Sequence, residues 1–160
     1  MQWYALIFCL SVNPLAAIPL DLPTRTARQK LVPQDPPTIQ ALKVLNGFLQ
    51  ALTTGNSSQA YYAYGSRQFQ DNVSFLDFKN FVQRFPSLSR NRAVKHDKEE
   101  YEKSSPDENA VTGDVMMVTS LLESYEGQRN LAQFILLFEA GQWRIASIKL
   151  FPAPANLIDN

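Results

Sequence analysis

A chain of 160 residues is long enough for one domain with a sizeable core and too short for two comfortable ones. Hydrophobic residues make up 45% and charged residues 19%, which excludes wholesale disorder. Lysine plus arginine (15) balance aspartate plus glutamate (15), so no basic excess exists to neutralise phosphates and nucleic-acid binding is not expected.

The chain opens on "WYALIFCLSV", an apolar run followed by Asn13, Pro14 and "LAAIPL". The run is shorter than the ~20 residues a spanning helix needs and suits the core of an export signal. Ala16 and Ala17 offer small residues for cleavage, although no Lys or Arg precedes the apolar core. Residues 1–18 are therefore expected to be an export signal or hydrophobic anchor, which places the protein outside the cell or in its envelope, the periplasm in a Gram-negative source. Cys9 is the only cysteine, and Phe8 before it argues against lipidation. Removal of the segment would leave no thiol for a disulfide, a nucleophile or a metal.

Residues 19–37 carry five prolines without a periodic apolar pattern and read as an extended linker. Thr38 is placed to cap a helix in which Ile39, Leu42, Leu45, Leu49 and Leu52 recur at three- and four-residue steps. Gly55 and Asn56 end it. Ser57 is read as the cap of a short second helix through "SQAYYAYG", stopped at Gly65. After a polar connection, Ser74 and Asp77 resemble a capping box opening a third helix. Phe75, Phe78, Phe81, Val82 and Phe85 line that helix, and Pro86 closes it.

Beyond Pro86 the period changes from helix to strand. "RAVKHDKEEYEK" reads as a charged edge strand, "SSPDEN" as a turn, and "AVTGDVMMVTSLLESY" as a long strand with Gly113 a candidate bulge. "EGQRN" makes the next turn, and "LAQFILLFEA" and "WRIASIKLF" form a terminal hairpin. Residues 153–160 read as a loose tail. In an unbroken register Phe134, Leu136, Phe138, Trp143 and Ile145 share one face of the hairpin. Ile135, Leu137, Ala146, Ile148 and Leu150 share the other, with Glu139 opposite Arg144 as a charge pair. Both faces are then apolar, and a second covering layer or a second subunit is expected.

The series "ALKVLNGFLQALTTGNSSQAYYAYGSRQF", "FLDFKNFVQRFP" and "LLFEAGQWRIASIKL" resembles, in order and spacing over residues 38–151, the nuclear transport factor 2-like superfamily. Within it the chain is similar to small bacterial and plastid domains of unknown function. The resemblance implies an α+β domain over residues 38–152, with three N-terminal helices packed on a curved, mainly antiparallel sheet as a cystatin-like cone. It also implies a pocket between the long helix and the sheet, and dimers through the outer sheet face. Activity does not follow from such a fold.

Chemistry is sparse. Tyr61, Tyr62 and Tyr64 supply hydroxyls but read first as aromatics closing the helix–sheet interface. Asp114 is the only carboxylate in the long strand before Glu123, and His96, the only histidine, sits among charges and is expected in solvent. Histidine and cysteine are too few for a zinc site, so neither metal nor cofactor is expected. The favoured reading is an exported, non-catalytic binding or assembly module. Its apolar cone pocket would be lined by Tyr61, Tyr64, Phe81, Phe85 and Trp143 and hold a small apolar ligand, while its sheet face would meet an envelope protein or a second copy. The alternative is a small cofactor-independent lyase or isomerase on an apolar substrate, with Tyr61 or Tyr64 as acid and Asp114 as base.

Overall fold

The computed structural model of the protein describes residues 35–104 and 113–153. The expected export segment, most of the linker, the turn-rich stretch 105–112 and the tail from 154 lie outside the described residues. Among the described residues no helix is long and apolar enough to cross a membrane.

The fold is α+β: helices come first, then a four-stranded antiparallel sheet in the order β1-β2-β3-β4. Helix α1 (Pro37–Thr53) begins one residue before the expected cap, with Pro36 in the cap position and Pro37 in the first turn. A proline is suited to that place because the first N–H of a helix has no partner in any case. Ala41, Leu45, Phe48, Leu49, Ala51 and Leu52 are buried, whereas Ile39, which the apolar spacing places on the stripe, is 45% exposed in the first turn. The helix ends in a Schellman motif: the Asn56 N–H donates to the Ala51 carbonyl (2.8 Å) and the Gly55 N–H to that of Leu52 (3.1 Å). Gly55 supplies the left-handed conformation this requires, with φ +76°.

The expected second helix divides. Asn56, rather than Ser57, caps the short α2 (Ser57–Gln59) by accepting from the Gln59 N–H, and a π-helical turn continues it over Ala60–Tyr64. The polar connection that follows contains its own helix, α3 (Arg67–Asn72), capped by Ser66. Helix α4 (Phe75–Arg84) starts as expected, with the Ser74 hydroxyl oxygen accepting from the Asp77 N–H (3.1 Å). Pro86 does not only close it. It opens one further turn, α5 (Pro86–Ser89), whose Ser87 hydroxyl donates to Asn130 in the buried interior (2.8 Å).

Strands β1 (Asn91–Glu102), β2 (Val115–Ser124), β3 (Arg129–Glu139) and β4 (Gln142–Pro152) form a meander. The β3–β4 turn is Ala140–Gly141, with φ of 50° and 79°, the left-handed pair a two-residue hairpin loop demands. On the helix-facing side, Met116, Val118 and Leu122 of β2 meet Ala132, Phe134 and Leu136 of β3, all fully buried. Phe48 sits where the layers join, its ring 6.3 Å from Phe134 and 6.2 Å from Phe78.

One irregularity overturns the symmetric view of the hairpin. Leu136 pairs with Ile145 but Ile135 pairs with Ser147, so Ala146 is an extra residue in β4. A bulge of one residue inverts the alternation beyond it. Ile148 and Leu150 therefore join the core side, packed on Phe134 and Ala132 as their pairing partners, while Lys149 points the other way and is exposed. The outer face keeps a narrower apolar row: Val115, Met117 and Leu121 from β2 and Leu131, Ile135 and Leu137 from β3. Nor do Glu139 and Arg144 pair. Glu139 accepts from the Arg67 backbone N–H (3.0 Å), and Arg144 donates to the Ala63 carbonyl and to Gln142.

Candidate functional site

The expected site residues separate into four places. Tyr61 is buried among Phe69, Phe75 and Phe78, and its hydroxyl donates to the Val73 carbonyl (2.6 Å) and approaches that of Gln70 (3.2 Å). It thus ties the π-helical turn to the end of α3, and burial pushes the phenol above its ordinary range. Tyr64 lies edge-on to Phe48 and over Gly47, where a β-carbon would come within 2.6 Å of its hydroxyl oxygen. Phe81 and Phe85 pack on each other at 5.1 Å on the α4 side of the core. None of these four lines the cavity that contains Trp143.

That cavity, about 130 Å³, is lined by Pro37 and Gln40 from the first turn of α1, Asp114 ahead of β2, Phe138 of β3 and Trp143 of β4. Two larger grooves are more open: one along Glu123, Gly127, Arg129 and Ala153, and one between Tyr62, Arg67 and Arg144. The smaller cavity is the one with constructed walls. Gly113 permits the close approach that builds it, since a β-carbon there would sit 2.4 Å from the Phe138 carbonyl oxygen. The Phe138 N–H donates to the Asp114 carbonyl (2.8 Å), which zips the entry of β2 to β3. Asp114 thus stands just before β2 rather than inside it.

A tyrosine hydroxyl does converge on Asp114, and it belongs to Tyr101 of β1. Tyr101 donates to one carboxylate oxygen (2.6 Å), while the Ser104 N–H (3.0 Å) and hydroxyl (3.3 Å) donate to the other. The Tyr101 hydrogen bond and the Ser104 N–H hold the Asp114 carboxyl below the usual carboxylate range. The same bond, with Asp114's charge behind it, raises the Tyr101 phenol. Tyr101 stands edge-on to Trp143 at 6.4 Å and 71°, and Phe138, its cross-strand partner, lies 5.3 Å away at 59°. Trp143 is 4% exposed, and among the described residues its buried indole N–H has no hydrogen-bond partner. A buried donor without an acceptor costs on the order of 1–3 kcal/mol.

A second polar cluster was hidden among the charges of β1. The β1–β2 pairing shifts between His96 and Lys98, leaving Asp97 unpaired and exposed and His96 opposite Ser120 on the inner face. His96 Nδ1 is 2.9 Å from the Ser120 hydroxyl and Nε2 is 3.2 Å from Asn46 Oδ1 of α1. Since Asn46 Oδ1 only accepts, the proton sits on Nε2 and Nδ1 accepts from Ser120. Burial lowers the His96 pKa, partly opposed by Glu99. Half-burial, not solvent, is therefore the histidine's state. The Ser–His–Asn order imitates a nucleophile relay, but Ser120 is 0% exposed and out of reach of a substrate. The cluster clamps the edge strand to α1. The only hint in the sequence was Val94 and His96 at a two-residue spacing.

Among the described residues no three His, Cys, Asp or Glu side chains gather as a metal site. No curated protein matches the chain. A family model described as "Domain of unknown function (DUF4864)" matches residues 34–158, which spans the whole described helix–sheet unit, and the chain belongs to that family.

Proposed function

We propose that the protein is a non-catalytic binding module that takes a small molecule in the cavity beside Trp143. The observation that carries the reading is a cavity whose lining joins two aromatic side chains, Phe138 and Trp143, to Asp114. The proposal places this cavity at the mouth of a nuclear transport factor 2-like cone, supported by the run of helices followed by an antiparallel meander. Export to the envelope or beyond belongs to the same reading and rests on the apolar run at residues 3–12.

The acid–base alternative is disfavoured by the direction of the pKa shifts. Tyr101 and Asp114 are the one phenol–carboxylate pair in the site, and their mutual bond moves the phenol up and the carboxyl down, away from neutrality on both sides. A proton-transfer pair needs the opposite. Small-molecule screening followed at the Trp143 indole resonance tests the binding reading: a saturable shift of that resonance supports it, and fragments that perturb only other sites refute it. Assembly is a second element, motivated by the outer apolar row. Light scattering of the full chain and of Ile135→Lys tests it, and a wild-type monomer removes it.

A further inference from the structure

We infer that the ligand is a small alkylated ammonium ion, of which choline is a simple member. The inference rests on the reading of the Trp143 cavity as a binding site and adds the chemical class. Three features converge on it. First, the cavity is lined by two aromatic side chains, Phe138 and Trp143, whose rings are inclined at 59° to each other. An aromatic lining favours a cation over an anion, because ring faces carry negative π-density.

Second, Asp114 lines the same cavity and its neighbours hold it ionised, so the local field is negative. Lys103 also faces Asp114, but its influence is the smallest of those acting on the carboxylate. Third, the carboxylate is already occupied: Tyr101 and Ser104 supply three donors to its two oxygens. A primary ammonium must hydrogen-bond its three N–H groups when it leaves water, and this carboxylate has little acceptor capacity left for them. A methylated ammonium has no such requirement and needs only the field and the ring faces.

The full chain is titrated with choline, with its neutral carbon isostere dimethylbutanol, and with ethanolamine, following the Trp143 indole N–H by heteronuclear NMR. The chain has two tryptophans, and Trp143→Phe assigns the signal. Choline is expected to give a saturable shift, with dimethylbutanol and ethanolamine each weaker by about tenfold or more. Asp114→Asn is expected to weaken choline binding several-fold and to leave dimethylbutanol binding unchanged. Dimethylbutanol binding as tightly as choline overturns the inference while leaving the cavity a binding site. Ethanolamine matching choline overturns the preference for alkylation. If none of the three probes moves the indole signal, the inference is overturned, while the binding reading is decided separately by the fragment screen. The comparison of probes is made on the wild-type chain, so the test survives even if Asp114→Asn does not fold.

Discussion

Replacing Trp143 by phenylalanine tests whether its buried indole N–H carries an unrelieved penalty. Trp143 is 4% exposed, and a buried tryptophan cut back to alanine ordinarily costs about 3–5 kcal/mol. Phenylalanine keeps a ring against Phe138 and Tyr101 and loses the fused pyrrole part. At about 0.8 kcal/mol per buried methylene-sized group, two such groups lost amount to roughly 1.5 kcal/mol. Against this stands the removal of an unpaired buried N–H, a gain of about 1–3 kcal/mol. The two terms nearly cancel, and the variant is expected within about 1 kcal/mol of the wild type. Urea unfolding followed by far-UV circular dichroism, with an unchanged m-value, measures the difference. A loss above about 2 kcal/mol would refute the reasoning, since it would mean that deleting the N–H relieves no penalty.

The bulge at Ala146 predicts that Ile148→Asn costs about 2 kcal/mol while Lys149→Asn is nearly neutral, whereas an unbroken register predicts the reverse; urea midpoints decide between them. Gly65 has an ordinary negative φ, but a β-carbon there would sit 2.4 Å from the Tyr61 carbonyl oxygen. Gly65→Ala is expected to cost about 2–3 kcal/mol, and a wild-type melting temperature would show that the π-helical turn yields freely. His96 has a folded pKa below its unfolded value of about 6.5, so its contribution is complete above that value and declines as pH falls towards the folded pKa. His96→Gln should flatten the stability profile in that window, and an unchanged profile would place the effect elsewhere. Glu123, held low chiefly by Arg92 and also by Arg129, and Asp114 act in a separate window. Their stabilisation is present above the ordinary carboxylate pKa of about 4 and is lost as pH falls through their lower folded values, which acid titration of Glu123→Gln checks.

The sequence by itself determined the element types and most of their limits, because hydrophobic spacing, caps and turn residues act over a few neighbours. Leu45, Leu49 and Leu52 announced α1, Ser74 announced α4, and Ala140-Gly141 announced the hairpin. It also singled out Trp143 and Asp114, although with the wrong company. Tertiary structure decided the rest, since each remaining outcome depends on a partner distant in the chain. Tyr61 read first as an aromatic of the helix–sheet interface, and only the fold brought the Val73 carbonyl at the end of α3 to its hydroxyl; Tyr101 looked like one more residue of a charged edge strand until Asp114 arrived beside it. His96 passed for a solvated residue because its neighbours are charged, yet pairing with β2 turned it towards Ser120 and Asn46. The extra residue at Ala146 carries no local signature; the attachment of Ser66 to the Ile145 carbonyl (2.8 Å) is where the chain departs from regular alternation. One bulge inverts every later side chain, and so the distribution of apolar residues between the two faces of the sheet was settled by pairing and not by composition.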